Sequence, residues 1–349
     1  MARKSINLAL QGGGSHGAFT WGVLDRLFED DRVEIAGVSG ASAGAMNAVV
    51  AAEGLRKGGA EGARAALEAF WTRVSAAARA SPIQRSPLEV LLGDYSLDRN
   101  PSYLLFDLLT RVASPYDLNP GGVNPLRQVI EEAVDFEAVR ACDLLALHVS
   151  ATDVETGRGR VFHREQITAE VVLASACLPT LFPAVEIEGR HYWDGGYMGN
   201  PALYPLFEGS ASDDIVIVQI NPVVRPGVPK TAREIQDRVN EITFNGNLLK
   251  ELRAIDFVQR LHEQGRLEGT RYRTVRMHMI EDRKRLRRLG ASSKINAEQR
   301  FLLHLKAIGR AAASRWLERD FEAVGRRQTL DLRRMFEGEH PPGGGGPPG

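Results

Sequence analysis

Ser42 stands in the string Gly40-Ala41-Ser42-Ala43-Gly44. An apolar run, Val33 to Val38, comes before it, and a run of small residues, Ala43 to Ala52, comes after it. Strand, sharp turn and helix in that order make a nucleophile elbow, where the turn lifts one hydroxyl clear of the sheet. Gly40 and Gly44 on either side let neighbouring backbone pass close by. A serine hydroxyl attacks a carbonyl carbon only when a base removes its proton. The charge that then develops on the carbonyl oxygen needs hydrogen-bond donors aimed at it.

The familiar base is a histidine oriented by a carboxylate. After Ser42 the late histidines are His262, His278, His304 and His340. The first and third fall inside predicted helices, His340 falls in the tail, and His278 falls in a strand. None sits in a loop built to reach the elbow, and His278 is the fallback. Asp194, by contrast, ends a predicted strand and is followed by Gly195 and Gly196. A carboxylate there can approach a serine with little hindrance and act alone as the base. For the donors, Gly12, Gly13 and Gly14 open onto a helix N-terminus. Successive backbone N–H groups in that setting form an anion-binding concavity.

These residues need elements to hold them. Ile6 to Leu10 reads as a short buried strand, and Ala18 to Asp30 as a helix with Phe19, Val23, Leu24, Leu27 and Phe28 on one side. With the elbow, the first fifty residues read strand-helix-strand-helix, the parallel unit of an α/β fold. Both glycine-rich turns fall at carboxyl ends of strands, the edge where open α/β sheets bind ligands. Leu55 to about Asp143 reads as helical. It either caps the serine or covers one sheet face, and its apolar Tyr103 to Val112 segment is a candidate wall of an acyl pocket. Strands resume at Leu144 to Thr152 and Gly159 to Phe162. A hairpin follows around Glu188-Gly189, and further strands are expected at Ile215 to Ile220 and Tyr272 to Ile280. Asn200-Pro201 reads as a helix cap with proline at the first helical position. Ile235 to Leu267 and Ala297 to Val324 read as long helices.

Three strings stand together in order: Gly12-Gly13-Gly14-Ser15-His16-Gly17, Gly40-Ala41-Ser42-Ala43-Gly44 and Asp194-Gly195-Gly196. With Ala174-Ser175-Ala176-Cys177-Leu178-Pro179 and Asn200-Pro201, they make the chain resemble the patatin-like phospholipase family over roughly residues 5 to 222. The resemblance implies a three-layer α/β/α fold with a mainly parallel central sheet. It implies a Ser-Asp dyad, Ser42 the nucleophile and Asp194 its base, with the amides of Gly12, Gly13 and Gly14 as the oxyanion hole. Gly17, Gly40, Gly44, Gly195 and Gly196 would support those motifs. The implied activity is hydrolysis of a lipid carboxylic ester, with no metal and no cofactor. The chain departs from the family at His16, where many members carry Arg or Lys. Histidine is only partly charged near neutral pH, so a neutral glyceride fits as well as an anionic phospholipid.

Other readings stay open. The first glycine string resembles a dinucleotide fingerprint, but the second strand ends in Ser39-Gly40 where that fold needs an acid. A catalytically silent lipid- or protein-binding module on the same fold and a Ser-His-Asp esterase are the rivals, and a transacylase is a milder variant. Composition narrows the field. The 349 residues carry 44 Lys and Arg against 44 Asp and Glu. A formal net charge of zero therefore gives no bulk pull toward nucleic acid. The expected partner is a lipid ester, with peripheral contact at a membrane surface left open. Cys142 and Cys177 read as buried, reduced core residues, and with no signal-peptide pattern the expected location is cytoplasmic. Trp21 and Trp71 read as packing residues. The basic run from Arg271 to Arg288 is a solvated face or an anion-facing patch. The expected domains are a catalytic core over 5–222, a mainly helical portion over 223–336 with one late strand packed on it, and a disordered Pro/Gly tail over 337–349.

Overall fold

The structure is a computed structural model that describes residues 3–79, 81–86, 89–90, 93–208, 210–268 and 273–338. Arg271 and nearly all of the expected tail lie outside the described residues, as does His340. A mixed, mostly parallel sheet carries helices on both sides. Its strands are β1 (Lys4–Leu10), β2 (Val33–Gly40), β3 (Ala146–Asp153), β4 (Gly159–His163), β5 (Val185–Ile187), β6 (Arg190–Asp194), β7 (Asp214–Val218) and β8 (Arg276–Ile280). They run in the order β5-β6-β3-β2-β1-β7-β8, with β4 also paired to β3. β3, β2, β1, β7 and β8 are mutually parallel, and β4, β5 and β6 are antiparallel additions.

Alternation along the central strands sorts side chains to two cores. Leu8 and Leu10 of β1 and Val216 and Val218 of β7 face one core, with helix α1 (Gly17–Phe28), helix α2 (Ala43–Ala78) and a late helix over Gln299–Arg319. Ala9, Ile215, Ile217, Met277 and Met279 face the other, under a long helix over Ala232–Glu263 and a short one over Leu332–Glu337. Helix α2 is interrupted by non-helical Gly58 and Gly59. After it come α3 (Pro101–Val112), α4 (Pro115–Leu118), α5 (Pro125–Ala133), α6 (Phe136–Arg140), α7 (Ala169–Ser175) and α8 (Pro205–Glu208). The long helix is α9, followed by α10 (Arg283–Leu286), α11 (Gln299–Arg319) and α12 (Leu332–Glu337). The cysteines are free and buried. Trp21 and Trp71 are buried and stacked, ring centroids 6.3 Å apart.

β3 sets the spacing of the site. Its residues 148–152 pair with β4 along one edge, so β2 and β6 must share the other. Gly40, the last residue of β2, lies opposite Val149. Asp194, the last residue of β6, lies opposite Ala151. Only Ser150 separates the two on β3, and its Oγ donates to Gly40 O at 3.4 Å. Asn200-Pro201 starts no helix, contrary to its sequence pattern; the next begins at Pro205. The Asn200 side chain instead accepts the Gly12 N–H at 2.6 Å. Part of the helical insertion covers the sheet, since Val129, Ile130, Val134 and Val139 join the first core. Helix α3 does not, for it buries none of its residues.

The late helix α11 is locked to α1 through two glycines. A Cβ on Gly22 would lie 2.0 Å from Lys306 O, and one on Gly309 would lie 2.0 Å from Phe19 O. Backbone has met backbone there, and neither helix can retreat without opening the core around Phe19, Phe301 and Trp316. Gly309→Ala is therefore expected to cost about 2 kcal/mol or more, the scale of an overpacked core. Thermal unfolding of the purified variant checks this, and an unchanged melting temperature would refute the close crossing.

Candidate active site

β2 ends in Gly40, and the chain reverses through Ala41 and Ser42 into α2. Ser42 takes φ 53° and ψ −124°, a backbone region costly for any residue with a side chain. The strain is held from several sides. A Cβ on Gly44 would lie 2.2 Å from Leu10 O, and one on Gly40 would lie 2.6 Å from the Gly44 carbonyl carbon. Only bare backbone lets β1, β2 and α2 converge this closely. The Ser42 amide donates to Ser175 of α7, at 2.9 Å to Oγ and 3.1 Å to the carbonyl oxygen. Gly17, at the start of α1, presses on the elbow, since a Cβ there would be 2.7 Å from Ala43 Cβ.

The glycine loop leaves β1 and lies directly over this turn. A Cβ on Gly12 would be 2.6 Å from Ser42 Cβ. Two asparagines pin the Gly12 peptide groups. Its N–H is taken by Asn200 Oδ1, and its carbonyl accepts Asn221 Nδ2 at 2.7 Å. The Gly12 amide is thus committed, whereas those of Gly13 and Gly14 have no acceptor among the described residues. Gly14 turns at φ +57°, and a Cβ on it would be 2.4 Å from Lys294 O. His16 is 4% exposed, with Nε2 2.7 Å from Ser293 Oγ. Burial first, then the charges of Lys294 and Arg225, push its pKa down to about 3. His16 is therefore neutral, and the cations in this neighbourhood are Lys294 and Arg225.

Asp194 comes to the site from β6 and is 1% exposed. Its amide donates to Cys177 O at 2.8 Å, and Thr152 Oγ1 donates to its carbonyl at 2.8 Å. The Gly196 N–H donates to Oδ1 at 2.7 Å, while Oδ2 has no partner among the described residues. Gly195 is packed on Ser150 O, which a Cβ would approach to 2.1 Å; one on Gly196 would be 2.4 Å from Phe244 Cε1. Burial raises the Asp194 pKa to about 7, against the lowering effect of the Gly196 amide, the Ser42 hydroxyl and Lys294. The Ser42 hydroxyl thus acts on the Asp194 carboxyl and favours its ionised form.

The fallback histidine serves elsewhere. His278 is fully buried, with Nε2 3.0 Å from Asp214 Oδ1 and Nδ1 2.9 Å from Thr329 Oγ1. Both ring nitrogens are committed to joining β7, β8 and the C-terminal segment. His262 lies on α9, and His304 on α11 stacks on Tyr95, centroids 5.3 Å apart. The Tyr103 to Val112 segment closes no acyl pocket either. Leu104, Leu105, Leu108, Leu109 and Val112 point to solvent, Val112 being 73% exposed. Two surface hollows of about 490 and 440 Å³ are lined by other, largely charged residues and share none with the site. Sequence patterns missed Asn221 and Lys294, and singled out Asn200 without its bond to Gly12. Asn200-Pro201 carried a signal that pointed to the wrong role, and Lys294 carried none.

The raised pKa of Asp194 has a cost for the fold. In the unfolded chain this carboxyl titrates near 4, so folding retains a proton between about pH 4 and pH 7. Its contribution is most favourable below pH 4 and is lost as pH rises through about 7. Asp194→Asn keeps an oxygen for the Gly196 amide and removes the buried charge. Its melting temperature is expected to exceed that of the wild type at pH 8, with the gap closing toward pH 4. A gap of constant size across that range would contradict the assignment.

Comparison with known proteins follows the same residues. A family profile described as Patatin-like phospholipase matches residues 8–207. Among solved structures, the crystal structure of VipD from Legionella pneumophila is 16% identical, with 88% of this chain and 67% of that chain covered and a TM-score of 0.36. No curated protein matches the chain. The matched stretch is more than half of the chain and holds the glycine loop, Ser42 and Asp194, and the chain belongs to the patatin-like phospholipase family.

Proposed function

We propose that this protein is a lipid acyl hydrolase that cleaves carboxylic esters through an acyl-Ser42 intermediate, with Asp194 as the only base. The observation that carries this reading is the state of the Asp194 carboxyl. One oxygen is held by the Gly196 amide, the other has no hydrogen-bond partner among the described residues, and the Ser42 hydroxyl acts on the carboxyl. In the first step Ser42 Oγ bonds to the ester carbon as its proton passes to Asp194. Charge builds on the carbonyl oxygen, where the unpaired amides of Gly13 and Gly14 can receive it. Collapse breaks the carbon–oxygen bond to the alcohol, which takes the proton from Asp194. A water then repeats the sequence on the acyl-serine, with Asp194 again accepting the proton, and releases the fatty acid. The Gly12 amide takes no part on this reading, because Asn200 holds it.

Phospholipid, lysolipid and glyceride all present such an ester. The neutral state of His16 supplies no charge for a phosphate from the motif itself. Ser42→Ala is expected to lower turnover of a short-chain aryl ester by about a thousandfold or more and to abolish labelling by a fluorophosphonate probe. Asp194→Asn should lose turnover to a similar degree while staying folded. In the wild type kcat/KM should fall as pH drops through about 7, because the base must be ionised. Turnover that survives Ser42→Ala would end the proposal.

Lipid esters lie in membranes or micelles, and the surface offers a place for contact. Helix α3 holds its apolar side chains outward, a patch that soluble monomers rarely leave bare. Its first turn is joined to α9, where Arg233 lies 4.8 Å from the Tyr103 ring centroid and pairs with Asp98 at 2.9 Å. We infer that this face rests on the lipid surface. Leu105→Glu with Leu108→Glu should reduce co-sedimentation with phosphatidylcholine vesicles and hydrolysis of vesicle lipid. Cleavage of the water-soluble aryl ester should be unchanged. Equal vesicle binding by wild type and variant would rule out this contact.

A further inference from the structure

The C-terminal portion, beyond the matched residues 8–207, reaches into the site. A turn over Ala291–Ile295 lies against the glycine loop, with Lys294 O in the way of any side chain on Gly14 and Ser293 bonded to His16. From that turn the Lys294 side chain runs inward. Its Nζ donates to Asn221 Oδ1 at 2.8 Å, and Asn221 Nδ2 in turn donates to Gly12 O at 2.7 Å. An ammonium has three protons to donate, and Asn221 is the side-chain partner of Lys294 among the described residues. The residue keeps some surface, but its charged end is crowded by protein; that burial lowers its pKa, while the charges of Glu241, Asp237 and Asp194 act the other way and favour the ammonium.

A buried ammonium needs a counter-charge. The groups facing Lys294 are Glu241 and Asp237 of α9, Arg225 of the preceding loop, Asp194 of β6, and His16 of the glycine loop. Glu241 is already answered, since Arg225 Nε bonds both of its oxygens at 3.1 and 3.0 Å, Arg225 Nη2 bonds Oε1 at 2.5 Å, and Arg238 adds a contact at 3.1 Å. Asp237 is pushed toward its neutral form by burial. His16 is neutral. Asp194 is faced by Lys294, by the Ser42 hydroxyl, and by Cys177 and Tyr197, both of which burial holds in their neutral forms. Lys294 is therefore the one cation acting on Asp194 among the described residues.

We propose that Lys294 is a positioning residue for the Ser42–Asp194 pair, bracing the glycine loop through Asn221 and supplying the counter-charge for the Asp194 carboxylate. This rests on the reading of Asp194 as the base of Ser42. When the serine proton moves to Asp194, negative charge leaves the carboxylate and reappears on the ester carbonyl oxygen under the loop. Lys294 neighbours both ends of that movement: Asp194 through its field, and the loop through Asn221. A cation so placed offsets the charge before and during the step. Its removal should then raise the pH at which Asp194 ionises and loosen the loop.

The test compares wild type, Lys294→Gln and Lys294→Arg on a short-chain aryl ester over pH 5 to 9, with fluorophosphonate labelling and thermal melting alongside. Lys294→Gln should move the acid limb of kcat/KM upward by about one pH unit, the low end of the effect of an adjacent opposite charge. Its kcat should fall at neutral pH, and labelling should slow in step. Lys294→Arg should return the limb close to its wild-type position. Lys294→Met, with an unbranched stem of similar length, makes the same comparison if the glutamine variant unfolds. An acid limb that coincides in wild type and charge-removed variant overturns the role of Lys294, with the dyad intact. A wild type that hydrolyses no ester and takes no label overturns the dyad itself.

Discussion

A carboxylate out of contact with water is expensive, and the site is built around one. Asp194 is buried at the end of β6, with a single amide bonded to its side chain. Burial dominates its titration, and no cluster of donors forces it to stay charged. A carboxylate solvated by several N–H groups would be a weak base. One held by a single N–H keeps a higher proton affinity, which is what the proposed role of Asp194 as base requires. Each neighbour follows from that constraint. Gly195 and Gly196 bring backbone close without a side chain, Phe244 packs against Gly196, and Lys294 acts on the carboxyl without a hydrogen bond to it among the described residues.

The two asparagines do a second job, which is to decide which peptide groups remain available. Asn200 occupies the Gly12 N–H and Asn221 the Gly12 carbonyl. The Gly12 carbonyl shares its peptide group with the Gly13 N–H, so Asn221 fixes the direction of that amide, and the His16 N–H, donating to Gly13 O at 3.2 Å, does the same for the amide of Gly14. The elbow is fixed in the same manner, through Ser175 at its amide and through the crowded backbones of Leu10 and Gly44. Donors that need not move when charge appears stabilise it best. The strain at Ser42 and the absence of side chains on its neighbours serve that rigidity.

Much of this was legible in the residues alone. The elbow, the glycine loop and the Asp194 turn are local strings at strand ends, and their spacing along the chain exposes them. The hairpin around Glu188-Gly189 was equally plain, and both residues take positive φ, 54° and 74°. What stayed hidden was joined only by folding. Lys294 lies in an unremarkable polar turn, and nothing nearby in sequence marks it as a neighbour of Gly14. Asn200 carries the pattern of a helix cap, because a side-chain oxygen that accepts an N–H looks the same in sequence whether the amide is two residues on or at Gly12. The Tyr103 to Val112 segment shows the limit of periodicity. The pattern tells that a helix has an apolar side, and only packing tells whether that side turns in or out.

The shared edge of β3 has a further consequence. Because β2 and β6 meet end to end along one strand, the separation of Ser42 and Asp194 is measured by β3 as by a ruler, with Ser150 as its single graduation. A slip of β6 by two residues would carry Asp194 roughly 7 Å along the sheet, and a slip by one would turn its side chain to the opposite face. The strands and their pairing can therefore tolerate no insertion, whereas the Glu188-Gly189 turn, at the far end of β6 from Asp194, can lengthen freely. Chains of this kind should differ from one another in hairpin length long before they differ in the number of residues between Gly40's partner and Asp194's partner on β3.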